Sequence, residues 1–208
     1  LLYGAANSTL LVELGKSITV NGGLSALHAL GVVFVVVGFA FKVSAVPFHT
    51  WAPDTYEGAP SPITAFLSVA SKAAGFIALV TLLFVAFPEA SSVWQPFIWV
   101  LSALTMTVGN VVALRQTNVV RMIAYSSISQ GGFVLMPLAV AGMAGVGDSA
   151  LRAVVVYLLI YAATNLGMFA VIIAVSRKTR SGSVSSFGGL FSYAPGLGAL
   201  ATIFLASL

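Results

Sequence analysis

Apolar runs long enough to cross a hydrocarbon core recur along almost the whole 208-residue chain, separated only by short polar breaks. Crossing a bilayer takes about 20 residues of helix. The chain therefore reads as all-α, a polytopic transmembrane helix bundle. Composition agrees: 59% of residues are hydrophobic and 7% charged, against roughly 45–50% and 25% for a soluble domain. A soluble fold is excluded.

The polar breaks give six segments in one transmembrane domain, at about 30–56 (broken near Pro47), 62–87, 93–114, 119–142, 150–176 and an incomplete 196–208. Turn chemistry fills the connectors, as in Glu57-Gly58-Ala59-Pro60-Ser61-Pro62 and Gly145-Val146-Gly147-Asp148. Leu1 to Gly4 reads as the tail of a helix and Thr202 to Leu208 stops inside an apolar run, so the expectation is a fragment, truncated at both ends. Cysteine is absent, which removes disulfides and thiolate-ligated clusters from the possibilities for this piece. If each segment crosses once, the connectors around Glu57, Gln116 and Lys178 share a side that collects Arg115, Arg121, Arg177, Lys178 and Arg180, against Lys16 and Arg152 opposite. That bias faces the cytoplasm or its organellar equivalent, and the net charge of +4 needs no nucleic-acid partner.

Two lysines violate the apolar pattern. Lys42 lies about 12 residues after Leu30 and about 15 before Glu57, which at about 1.5 Å per residue is mid-membrane. Lys72 lies about ten residues into the next, antiparallel segment, at similar depth on a neighbouring helix. A lysine at the centre of a membrane helix costs roughly 2.5–3.5 kcal/mol, so a functional reason is expected. Each sits in a small or polar stripe: Thr64, Ser68, Lys72 and Gly75 at i, i+4, i+8 and i+11, and Gly38, Lys42 and His49 at i, i+4 and i+11. The expectation is a shared, water-holding polar cavity. Burial penalises the charged form of an amine, which suits a group that passes a proton on. The plainer alternative is that each lysine is tied to backbone carbonyls or to an acid elsewhere.

Pro47, five residues after Lys42, removes a backbone donor and frees a carbonyl, as in the broken helices that line ion sites. His49 is a second relay candidate or an interfacial hydrogen-bonder, whereas His28 reads as an ordinary interfacial residue. Asp54 and Glu57, at the cytoplasmic end of the broken helix, read as solvated turn residues or as groups that attract protons. In the fourth segment Tyr125, Ser126 and Gln130 replace apolar bulk, either lining a wet path together with Thr64 and Ser68 or permitting close packing. Tyr157, Tyr161 and Asn165 form a similar stripe at i, i+4 and i+8. No motif suggests catalytic residues, a bound cofactor or a metal.

The stretch Phe41-Lys42-Val43-Ser44-Ala45-Val46-Pro47-Phe48-His49-Thr50-Trp51-Ala52-Pro53-Asp54-Thr55-Tyr56-Glu57-Gly58-Ala59-Pro60 resembles the subunit N family of the proton-translocating NADH:quinone oxidoreductase, respiratory complex I. The likeness continues through Thr64 to Lys72, Gln116 to Asn118 and Arg121 to Ile128. The resemblance implies an antiporter-like, inverted-repeat fold with a discontinuous helix around Lys42 and a central relay lysine at Lys72. It implies a partner glutamate and a later relay lysine, neither of which is in this sequence, and it puts Gln130 where many relatives carry histidine. It further implies other complex I membrane subunits as partners, with NADH, FMN, iron–sulfur clusters and quinone in other subunits. The setting would be a bacterial plasma membrane, with inner mitochondrial and thylakoid membranes as alternatives. Two other functions compete: the related membrane component of a multisubunit Na⁺/H⁺ antiporter, which is a secondary transporter, and a structural membrane scaffold.

Overall fold

The computed structural model describes residues 1–20 and 23–208. Among them the regular structure is helical: α1 (Leu2–Ala6), α2 (Leu11–Val20), α3 (Ala26–Val43), α4 (Trp51–Gly58), α5 (Ser61–Phe66), α6 (Lys72–Thr81), α7 (Ser91–Ala113), α8 (Val119–Leu138), α9 (Gly147–Thr179), α10 (Leu190–Tyr193) and α11 (Pro195–Ser207). A wide π turn at Leu67–Ser71 joins α5 to α6 and a second, Leu82–Ala86, follows α6, so that one apolar rod runs over Ser61–Ala86. Four helices among the described residues are long and apolar enough to cross a membrane: Ala26–Val43, Ser61–Ala86, Pro88–Ala113 and Gly147–Thr179. The more polar α8 packs against α4, α7 and α9.

Local chemistry sets the helix ends. Ser25 caps α3, its side chain accepting from the His28 N–H, and Ser44 ends it in a left-handed conformation with φ 62°. Asn118 caps α8 by accepting from the N–H groups of Val120 and Arg121 at 2.9 and 3.3 Å. Arg177 and Lys178 occupy the last turn of α9, where cations oppose the negative end of the helix dipole.

The main core joins Val32, Val36 and Ala40 of α3, Phe76 and Leu79 of α6, Ile98 and Leu101 of α7, and Val134, Leu135 and Leu138 of α8. Two glycines bring α7 and α8 almost into backbone contact. A Cβ at Gly109 would stand 2.7 Å from the Ser129 nitrogen, and one at Gly132 would stand 2.8 Å from the Met106 nitrogen.

Three connectors meet at one end of the bundle. The Val119 N–H donates to the Gly182 carbonyl and the Val184 N–H to the Thr117 carbonyl, each at 2.8 Å, and Arg121 reaches Asp54 and Glu57. These are the connectors that hold the basic residues. At the other end, α2 fills a region where the apolar pattern marks only the tail of one helix. Ten residues of helix are too short to cross a bilayer. Instead α2 lies against the second π turn, where a Cβ on Gly15 would stand 3.3 Å from the carbonyl oxygens of Val85 and Ala86.

Candidate functional site

Lys72 opens α6 immediately after the first π turn, a distortion that is rare in helices and frequent at functional sites. The residue is 4% exposed. Its Nζ donates to the carbonyl and to the hydroxyl of Ser127 on α8, both at 2.7 Å. No carboxylate lies within ion-pair distance of it among the described residues. Ser127 Oγ is also 2.7 Å from the Tyr161 hydroxyl of α9, which donates to the Ser68 carbonyl at 3.2 Å. Asn165 Nδ2, one turn further along α9, donates to Ser68 Oγ at 2.7 Å. Lys72 is thus held by a fully buried polar cluster made by three helices and the π turn.

Lys42 has a different setting. Its side chain is exposed on the flank of the bundle, its stem crossing α6 where Gly75 leaves room: a Cβ there would stand 3.0 Å from Lys42 Cγ. Its Nζ donates to Ser71 Oγ at 2.9 Å. Beside it opens a cleft of about 340 Å³ lined by apolar groups including Val35, Phe39, Leu82 and Phe87. The two amines therefore do not share a cavity. Lys42 approaches the residue before Lys72 from α3, whereas Lys72 turns to α8.

The helix break begins at Ser44, before Pro47, and ends at Trp51. A break leaves carbonyls and N–H groups without intrahelical partners, and side chains supply them here. The Trp51 indole donates to the Phe41 carbonyl at 2.9 Å, and Thr105 Oγ1 of α7 accepts from the Val46 N–H at 2.9 Å. Pro47 is exposed, and its bond to Val46 is cis. The break also ends the expected Gly38, Lys42 and His49 stripe, because the chain changes direction between Lys42 and His49. The His49 ring instead lies edge-on to Tyr125, with centroids 6.4 Å apart, and its Nδ1 is buried without a hydrogen-bond partner among the described residues.

The remaining candidates are spread over several places. Thr64, fully buried, donates to the Tyr56 carbonyl at 2.9 Å and ties α5 to α4. Ser68 belongs to the Lys72 cluster. Ser126 faces a separate cleft of about 530 Å³ between α7, α8 and α11. Gln130 accepts from the Tyr157 hydroxyl and donates to the Leu208 carbonyl.

Asp54 and Glu57 are more than solvated turn residues. Arg121 binds them at 2.7 and 2.8 Å while Asn118 donates to Glu57 at 3.0 Å, which fastens the half-helix α4 to the start of α8. His28 is buried as well, with Nδ1 2.8 Å from Ser25 Oγ and Nε2 3.3 Å from Ser17 Oγ, a stitch between α2 and α3. Sequence spacing had a signal for Tyr161 and Asn165, the i, i+4 stripe of α9, and none for the choice of Ser127 over its neighbouring serines.

A membrane-spanning helix bundle with one helix broken beside a lysine is the architecture of an antiporter-like membrane subunit. The chain belongs to the NADH:quinone oxidoreductase/Mrp antiporter transmembrane family, whose model matches residues 1–208. It is 43% identical over 208 residues to NADH-quinone oxidoreductase subunit N of Moorella thermoacetica, covering 100% of this chain and 42% of that protein. It is 48% identical over 210 residues to NAD(P)H-quinone oxidoreductase subunit 2 of Rippkaea orientalis, covering 100% of this chain and 40% of that protein. Among solved structures, a chain of the membrane-bound sulfane sulfur reductase, an archaeal respiratory membrane complex, superimposes with a TM-score of 0.82 at 27% identity, over 98% of this chain and 40% of its own. The chain thus spans well under half the length of these relatives.

Proposed function

We propose that this chain is part of a membrane-arm subunit of an NADH:quinone oxidoreductase and carries a section of its proton-translocation path, with Lys72 as the central relay and Lys42 beside it. Electron transfer from NADH to quinone would take place in other subunits, which would hold FMN, the iron–sulfur clusters and the quinone, and would drive this path through conformational or electrostatic coupling. Other membrane subunits and the surrounding lipid are its partners in a bacterial plasma membrane or a thylakoid.

The observation that carries this reading is Lys72 itself, an amine buried at mid-membrane whose partners are all neutral. The Ser127 carbonyl would also hold a structural lysine; what favours a relay is that no carboxylate among the described residues fixes Lys72 in its charged form. Two hydrogen bonds to a charged group return about 1.5–3 kcal/mol each, which offsets the roughly 2.5–3.5 kcal/mol cost of a charged lysine at a helix centre. Such a site can hold either protonation state, which a relay needs. Lys42, one hydrogen bond from Ser71, is placed to exchange with the same region from the α3 side. His49 is a less central member, since its ring faces Tyr125 and not Lys42.

The curated relatives are named as quinone oxidoreductase subunits, which favours this reading over a Na⁺/H⁺ antiporter component. The test is proton pumping and quinone reduction measured together in the assembled full-length complex for Lys42→Ala and Lys72→Ala. Loss of pumping in complexes that still assemble is expected. Undiminished pumping with retained quinone reduction would return both lysines to structural roles.

A further inference from the structure

The line of hydroxyls behind Lys72 has a direction that depends on the charge of the lysine. An ammonium only donates, a hydroxyl donates once and also accepts, and a carbonyl only accepts. With Lys72 charged, one ordering satisfies the contacts: Lys72 N–H to Ser127 Oγ, the Ser127 O–H to the Tyr161 oxygen, and the Tyr161 O–H to the Ser68 carbonyl. With Lys72 neutral, its lone pair accepts from the Ser127 O–H, and the Tyr161 O–H turns from the Ser68 carbonyl to Ser127 Oγ. Both orderings fit the same heavy-atom positions, and only two hydroxyl hydrogens rotate between them.

The surroundings hold those heavy atoms still. Ser127 and Tyr161 are 1% and 5% exposed, and the far end of the line is pinned by Asn165 on Ser68 Oγ at 2.7 Å. Two further tyrosines come into this region, buried Tyr56 from α4, beside Ser127, and Tyr157 from the helix of Tyr161, and Lys42 comes from α3 to Ser71. The two acids of the ion-paired cluster, Asp54 and Glu57, are engaged by Arg121.

We propose that Ser127 and Tyr161 are positioning residues that let Lys72 change charge without moving, Tyr161 reversing its donor direction as the proton leaves. This rests on the reading of Lys72 as a relay. Removing the Tyr161 hydroxyl takes from the charged ordering the acceptor of the Ser127 O–H, in a chain polarised by the ammonium at its head, and from the neutral ordering an ordinary donor. The charged ordering loses more, so pumping that requires protonated Lys72 should fail at a lower pH than before.

The experiment is proton pumping by the assembled full-length enzyme in vesicles, followed across the neutral and alkaline range for Tyr161→Phe, Ser127→Ala, Ser127→Thr and Lys72→Ala. The expected result is an alkaline limb shifted to lower pH by roughly half a unit to one unit in Tyr161→Phe, consistent with the loss of one hydrogen bond. Ser127→Ala shifts further in the same direction, and Ser127→Thr, which restores a hydroxyl, returns the profile to the wild-type position. An unshifted profile in Tyr161→Phe, whether at full rate or uniformly reduced, overturns the proposal. If Lys72→Ala pumps normally, the relay reading itself fails; if it does not pump and Tyr161→Phe is unshifted, only the hydroxyl line fails.

Discussion

Lys42 and Lys72 come from the same hairpin and sit at similar depth, yet the structure treats them in opposite ways. Lys72 is enclosed and held by groups of this chain: Ser127 directly, with Tyr161, Ser68 and Asn165 behind it. Lys42 lies open on the flank at the end of a broken helix, with one hydroxyl partner and an apolar cleft beside it. The difference teaches that depth alone does not define a site. Packing fixes the hydrogen-bond partners of the buried amine, and leaves those of the exposed one free to change.

That contrast can be broken at the helix packing, where the largest effect is expected. Gly109→Val would force a side chain against the Ser129 backbone, at a cost of about 1–3 kcal/mol or more, and would move the α8 segment that carries Ser127. Reduced yield of assembled complex, with surviving molecules impaired at Lys72 and not at the Lys42–Ser71 contact, is the expected outcome in a purification and activity assay. Thr105→Val acts on the other side of the comparison. It orphans the Val46 N–H in the break at a cost of about 1–3 kcal/mol, and thermal stability of the purified complex should fall accordingly.

Smaller changes sharpen the contrast. Ser71→Ala removes the Lys42 hydrogen bond to Ser71 Oγ and leaves the Lys72 cluster intact, so pumping should decline about twofold, in keeping with an exposed bond worth about 0.5 kcal/mol. Arg121→Met removes the ion pairs between α4 and α8 and leaves the Asn118–Glu57 hydrogen bond, and the pair to Asp54 is partly exposed, with side-chain exposures of 31% for Arg121 and 73% for Asp54. Surface pairs are worth about 1 kcal/mol or less. A slight loss of stability that shrinks further at high salt is expected in a melting experiment.

Much of this contrast was out of reach of the sequence for a specific reason. The apolar runs marked the long helices but not α2, the two lysines stood out against them, and the Phe41 to Pro60 stretch pointed to the family. The stripe Thr64, Ser68, Lys72 and Gly75 marks a face that is buried at all four positions. Missing from the sequence was the rotational phase of each helix at its crossings. The Gly38, Lys42 and His49 stripe assumed a helix continuous through the break, and Ser44 ends that continuity before Pro47 is reached. Nor could spacing show that Ser127, among several serines in α8, would be the one to meet Lys72. That choice is made by the close approach of α7 and α8 at Gly109 and Gly132 together with the π turn before Lys72.

The central claim is that Lys72 carries a proton, and Lys72→Met tests it most directly, because methionine fills much of the same space and cannot be protonated. In the assembled full-length complex, the number of protons pumped per NADH oxidised should fall markedly while the complex remains intact. A wild-type proton-to-electron ratio in that variant would contradict the claim.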